Sequence, residues 1–256
     1  MQTEAILLGT GTSQGIPVIG CNCPVCRSSD EKDKRLRASL LIKAGGMNFA
    51  IDAGPDFRQQ MLREKVNTLR AILITHEHVD HIFGLDDVRS YNWLQKKAMD
   101  IYAEKRVQEA IVRIFDYVFS DVRYPGIPKM KLNLIYKDPI DIDGIIFIPV
   151  RCYHHKLPVF GFRTGNLTYI TDANLIPERE LKKLFGTQVL IINALQISRH
   201  ISHFNLEQAL EIIEKVKPER AYLTHLSHSF GKHQYLQSLL PPNVQVAYDG
   251  LRVVSD

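Results

Sequence analysis

The run Thr75-His76-Glu77-His78-Val79-Asp80-His81 packs three imidazoles and the Asp80 carboxylate into six residues, directly after the apolar run Ala71-Ile72-Leu73-Ile74. A buried strand that delivers the chain into such a turn can aim several side chains at one point. Neutral imidazole suits zinc, iron, manganese or nickel, and a carboxylate between imidazoles can reach a second ion. A single histidine in a polar loop is ordinary capping or solvation, but H-x-H-x-D-H behind a buried strand is a metal site. A second cluster is Cys21-Asn22-Cys23-Pro24-Val25-Cys26, which holds three of the chain's four cysteines. That density indicates metal ligands, not a disulfide framework. Cys152, alone in an apolar strand, is expected in the core.

The elements around these residues follow from period and punctuation. Glu4–Gly9 reads as a first strand running into a small-residue turn. Ser39–Lys43 and Met47–Asp52 form a hairpin about Gly45-Gly46, and Asp52 stands at a strand end before a helix over Pro55–Arg63. Gly84 to Asn92 is expected to form one or two short helices. Val107, Ala110, Ile111, Ile114, Phe115 and Val118 recur at helical spacing, and short β segments lie between Leu132 and Val150. Val159–Arg163 and Leu167–Thr171 make a second hairpin, and Val189–Ile192 another strand. Asn205 caps a helix with Gln208 placed for a capping box, and Pro218 stops it. Ala221–Leu223 leads into Thr224-His225, and Gln245–Val254 reads as a closing strand pair around Asp249-Gly250. Two β-rich halves, each with helices, predict two packed sheets covered by helices on their outer faces. Asp52, His154 or His155, Asp172 and His225 all fall at strand ends, as a shared site on one rim of that sandwich requires.

These motifs give the chain a resemblance to the metallo-β-lactamase-fold hydrolases. It runs from Leu8-Gly9-Thr10-Gly11-Thr12-Ser13 through Cys-x-Cys-x-x-Cys and T-H-x-H-x-D-H to T-H-x-S-H. More narrowly, the chain resembles the PhnP-like cyclic phosphodiesterases, which are related to transfer RNA 3′-processing nucleases. The resemblance implies an α/β, four-layer αββα sandwich as one domain over residues 1–256, with a zinc-knuckle loop at about residues 20–37. It implies two divalent ions, zinc or manganese: one on His76, His78 and His154, the other on Asp80, His81 and His225, with Asp172 bridging. His154 is preferred over His155 because His154-x-x-Leu157 matches the family's third motif. Asp52 is expected behind the ligands, fixing an imidazole or the turn. Cys21, Cys23, Cys26 and His228 would close a tetrahedral structural zinc site. His203, matching H-x-[DN]-L, is the resembling general acid beside a metal-bridging hydroxide, and Asp80 is placed to hydrogen-bond that nucleophile. Where relatives are expected to carry an acid, this chain has Asn193.

A formal charge of +4, well dispersed, does not by itself mark a nucleic-acid binder. The basic residues Lys32, Lys34, Arg35 and Arg37 are expected on a solvated loop face; His200 could compete for the acid role and Arg199 could meet a phosphate, but both are expected as solvated loop residues, and no functional role is expected for His155 or His233. No signal-peptide pattern or membrane-length apolar run is visible, which with the reduced cysteines points to the cytoplasm. The expected partner is a small phosphodiester, 5-phosphoribosyl 1,2-cyclic phosphate being the type substrate, with nucleic acid and membrane not expected and a homodimer implied by the resemblance. The competing readings are a transfer RNA 3′-end endonuclease, a thioester or lactone hydrolase, and a non-catalytic metal-binding module.

Overall fold

In β1 (Thr3–Gly9), Ala5 and Leu7 belong to one apolar cluster and Ile6 and Leu8 to another, and all four are fully buried. A strand apolar on both faces needs cover on both. The computed structural model describes residues 2–121 and 124–256 and shows how that cover is supplied. The first half continues through β2 (Ser39–Ala44), β3 (Met47–Ile51), α1 (Phe57–Arg63), β4 (Ala71–Leu73), α2 (Val79–Ile82), α3 (Val88–Gln95), β5 (Met99–Ala103), α4 (Lys105–Ile114), α5 (Asp116–Phe119) and β6 (Met130–Leu134). The second half runs through β7 (Ile140–Ile142), β8 (Ile145–His154), β9 (Leu157–Thr164), β10 (Leu167–Ile170), α6 (Glu178–Leu181), β11 (Val189–Asn193), α7 (Leu206–Val216), β12 (Arg220–Thr224), α8 (His233–Ser238), β13 (Val244–Val246) and β14 (Arg252–Ser255).

The strands form two mixed seven-stranded sheets, ordered β14-β1-β2-β3-β4-β5-β6 and β13-β12-β11-β10-β9-β8-β7. Between them lies a core built from Leu7, Leu40, Ile42, Phe49 and Leu73 on one side and Phe147, Phe160, Phe162, Tyr169 and Ile191 on the other. Phe49 and Phe147 meet edge to face across it at 5.2 Å. The outer face of the first sheet packs on Phe57, Leu85, Val107 and Ile111, and that of the second, Cys152 included, on Leu184, Ala209, Ile213 and Val216. This is the αββα metallo-β-lactamase architecture. Among the described residues, no helix is long and apolar enough to cross a membrane.

Four details differ from the sequence reading. The helix after the His-rich turn begins inside the motif, as α2, whose residues include Asp80 and His81. The amphipathic run ends as α4 and resumes as α5 around Phe115, which leaves helical geometry at ψ 44°, while Val107, Ala110, Ile111, Phe115 and Val118 are buried and Ile114 half-buried. The tail is not a strand pair: β13 lies parallel to β12 in the second sheet, and β14 antiparallel to β1 in the first. The turn between them bonds to β1 instead, through Gly250 N to Leu7 O and Leu7 N to Leu251 O. Nor is the basic tract a solvated face throughout. Arg35 is buried, donating to Thr10 Oγ1 at 2.7 Å and to Ala247 O at 2.5 Å, because its loop folds against the sheet ends.

Candidate metal centre

Four strands of the two sheets run into left-handed residues, three that take the chain off the sheet and one, His155, in the tight turn of the β8–β9 hairpin. Asp52, after β3, has φ 66°; Asp172, after β10, 52°; His225, after β12, 56°; and His155, after β8, 56°. The left-handed region is costly for any residue with a Cβ, of order 1–3 kcal/mol each. Such conformations persist where the surroundings over-determine them, and here hydrogen bonds do so.

Asp52 is the anchor on the first sheet. Its Oδ1 accepts from Thr75 N at 2.8 Å, and its Oδ2 accepts from Thr75 Oγ1 at 2.9 Å and His81 Nδ1 at 2.7 Å. Burial pushes its pKa up, against the pull of His81 and the Thr75 donors. With its hydroxyl proton on Asp52, Thr75 Oγ1 accepts from His76 Nδ1 at 2.9 Å. Both imidazoles therefore turn an Nε2 lone pair toward the same interior space, and both Nε2 atoms are buried without a hydrogen-bond partner. On the second sheet, Asn193 at the end of β11 clamps the turn after β10: its Oδ1 accepts from Ala173 N at 3.0 Å and its Nδ2 donates to Ala173 O at 2.9 Å. Where an acidic residue was expected, an amide thus holds the backbone next to Asp172. His154 donates from Nδ1 to Ser202 O at 2.7 Å, which frees its Nε2, whereas His155 is exposed.

These residues converge on Asp172. Its Oδ2 lies 3.9 Å from His76 Nε2, and its Oδ1 lies 3.4 Å from His81 Nε2 and 2.9 Å from His225 Nδ1. Asp80 Oδ2 is 3.3 Å from His81 Nε2. Donor atoms at about 2.0–2.2 Å from a shared ion sit roughly 3–4 Å apart, so the orphaned nitrogens and their neighbours fit divalent ions on either side of Asp172. Potential ligand atoms group as His76, His78, Asp172 and as His81, Asp172, His225. A third group joins His154 and Asp172 to His203, and the His154 ring stands 5.1 Å from His78 and 5.9 Å from His76. Electrostatics agree with a cation site. Burial opposes charge on Asp172, but His225 and His81 outweigh it and hold the carboxyl well below its usual range. Burial holds His76 neutral, the form that ligates metal. Against its own burial, His81 is pushed up by Asp172, Asp52 and Asp80. His203, half over this centre, is lowered to about 3 by burial and then by His225.

The cysteines form a separate cluster. Cys21, Cys23 and Cys26 Sγ lie 3.3, 3.5 and 3.6 Å from His228 Nδ1. A tetrahedral zinc with Zn–S near 2.3 Å and Zn–N near 2.05 Å separates sulfur from nitrogen by about 3.6 Å, so this donor set fits the ion. The Cys26 amide, then His228, lowers the Cys23 thiol to about 6, while burial raises Cys26 to about 11. Bound metal would displace the remaining thiol protons. Thr75, Asn193 and Ser202 are the supporting residues that the sequence reading did not single out for these roles. Only the T-H pair hinted at Thr75, and the Ser202 contact uses a carbonyl that every residue has.

Fold and donor set together define a metallo-hydrolase class. The chain belongs to the family described as Beta-lactamase superfamily domain, whose model matches residues 47–226. It is 41% identical over 256 residues to a protein named octanoyltransferase from Porphyromonas gingivalis, a match covering 99% of this chain and 52% of that protein. A ribonuclease Z from Bradyrhizobium sp. is 26% identical over 182 residues, 68% of this chain and 53% of that protein. The chain therefore spans about half the length of these curated relatives. Among solved structures, a diphosphatase from the PhnP family superposes with a TM-score of 0.94 at 36% identity, covering 100% of this chain and 98% of that one.

Proposed function

We propose that this chain is a dinuclear metal-dependent phosphodiesterase that hydrolyses a small cyclic phosphodiester, with 5-phosphoribosyl 1,2-cyclic phosphate as the type substrate. The observation that carries the reading is the position of His203. Its ring stands 4.4 Å from that of His154 and 4.8 Å from that of His225, and its Nδ1 is buried without a partner. One imidazole thus faces both ligand clusters while remaining free for substrate. A divalent pair, when bound, stabilises charge on the phosphoryl oxygens and eases deprotonation of water. His76, His78 and His154 would hold one ion, Asp80, His81 and His225 the other, and Asp172 both. Asp80 accepts a hydrogen bond from the attacking water. His203 delivers a proton to the departing alkoxide, which is too basic to leave unaided. The phosphodiester anion bound against it supplies the counter-charge that burial removes.

A second reading has one observation in its favour. The octanoyltransferase relative matches nearly the whole chain, and its name concerns an acyl group, so hydrolysis of an acyl thioester is the competing activity. The test is turnover of ribosyl 1,2-cyclic phosphate, a diphosphate diester and an octanoyl thioester by manganese- or zinc-loaded protein, with His203→Ala alongside. Phosphoester cleavage that falls by about 10²–10⁴-fold in the variant, with metal content unchanged, is the expected result. Metal-replete protein that cleaves only the thioester would overturn the phosphodiesterase reading in favour of the acyl one.

A further inference from the structure

We infer that Arg106 is a positioning residue that locks the first metal's ligands together across the two sheets, by joining Glu77, the residue between His76 and His78, to the strand that pairs with the His154 strand. The inference rests on the metal pair proposed above and concerns how one half of it is built. His76 and His78 follow β4 in the first sheet, whereas His154 ends β8 in the second, so their geometry depends on what holds the sheets in register at that rim.

Arg106, in the first turn of α4, donates from Nη1 to Glu77 Oε1 and from Nη2 to Pro158 O at 2.6 Å. Pro158 is on β9, one residue from Leu157, the register partner of His154. One planar guanidinium therefore ties the turn bearing two ligands to the hairpin bearing the third. The arginine is itself held from behind. Glu104 Oε2 lies 3.6 Å from its Nη2, and Glu104 also takes Arg151 Nη2 at 2.6 Å. Arg151 stacks over the Phe160 ring at 3.8 Å. The only parallel backbone tie is Phe160 N to Thr75 O at 3.1 Å among the described residues' hydrogen bonds between these segments. The ligands Asp80, His81 and His225 lean on other supports, Asp52 for His81 and the Thr10 O to Leu226 N bond beside His225. Glu77 and Arg106 are part-exposed, with side chains 22% and 33% accessible, so the pair's worth as a plain surface ion pair would be small.

The consequence is asymmetry between the two metal positions. Arg106→Ala and Glu77→Gln should each weaken one ion of the pair by about 10–100-fold, as loss of a support behind metal ligands does, and leave the other ion and the cysteine cluster unchanged. Arg106→Lys should recover less than half of the loss in log terms, because an ammonium cannot span both acceptors in the fork geometry of a guanidinium. Stepwise cobalt titration reads this directly: thiolate-to-cobalt absorption reports the cysteine site, and the weaker visible bands report the other two. If wild-type protein takes up no pair of ions outside the cysteine site, the metal-pair reading fails. If it takes up the pair and both variants bind both ions as wild type does, or weaken both equally, the Arg106 inference fails while that reading stands. A variant that loses thermal stability with unsplit affinities marks the arginine as structural only, which also overturns the proposal.

Discussion

Asp52 accepts three hydrogen bonds on two oxygens, and one of them fixes which nitrogen of His81 carries a proton. Replacement by asparagine puts an NH₂ where a donor now points, or turns His81 so that its protonated nitrogen faces the ion. Asp52→Asn should therefore lower affinity for the ion proposed on His81 by about 10–100-fold, read by competition with a chromogenic chelator. Asn193 makes the converse case. Its amide both accepts from and donates to Ala173, so Asn193→Asp leaves a carbonyl unpaired and sets a buried carboxylate against it. A loss of about 1–3 kcal/mol in urea unfolding is expected, with Asp172 released from its turn. At this scale the candidate ligand groups were legible in the sequence, because metal chemistry restricts residue type and a His/Asp cluster announces itself. The role of Asn193 was not: an amide at a strand end says nothing about which backbone it meets, and the sequence marks the position only as one where an acid was expected.

Elements position these residues through close backbone packing at α2. A Cβ on Gly54 would lie 1.9 Å from Asp80 O, and one on Gly84 would lie 2.1 Å from Gly54 O and 2.6 Å from Phe57 Cβ. The turn after β3 and the start and end of α2 thus touch main chain to main chain, with Ala53 N donating to His81 O at 2.7 Å and Gly84 N to Ala53 O at 2.8 Å. There is no flexible side chain to yield. Gly54→Ala should destabilise the fold by about 1–3 kcal/mol, the cost of overpacking a filled interior, and should lower occupancy of the ion proposed on Asp80 and His81. Thermal unfolding with and without metal separates the two effects, since a shifted helix reduces the stabilisation that metal confers. The strands and long helices of this scaffold were visible as period and capping, as in the Asn205–Gln208 box. The short helix inside the motif and the left-handed turns at Asp52, Asp172 and His225 were not. A four-residue helix has no period to detect, and Asp and His, though they enter the left-handed region more readily than most residues, are too common in other conformations to mark the turn.

Across the whole molecule, two β-rich halves predicted two sheets, but how the chain closes them could not be read from apolar patterning alone. Both tail strands are short, and pairing them with each other satisfies the same pattern as sending one to each sheet. What decides is the Asp249-Gly250 turn between them. Asp249 Oδ1 accepts from Thr10 Oγ1 at 2.8 Å and Oδ2 from Leu36 N at 2.7 Å, so one side chain joins the crossover to the end of β1 and to the loop that follows the cysteine cluster. Burial raises its pKa to about 6, against the pull of the Leu36 amide and the Thr10 hydroxyl. A carboxyl raised in the folded state holds its proton after the unfolded chain has released it. Its contribution to stability is therefore complete below about 3.8 and declines as pH rises to about 6, by about 3 kcal/mol in all. Asp249→Asn lacks that titration while keeping one acceptor. Its unfolding free energy minus that of wild type should therefore rise by about 2.4 kcal/mol between pH 4 and pH 7, measured in urea with chelator present so that metal loss does not contribute. A difference that stays constant over that range would mean that the carboxyl is ionised throughout, and that the crossover is held by charge, with Arg63 at 3.7 Å as its partner, instead of by a shared proton.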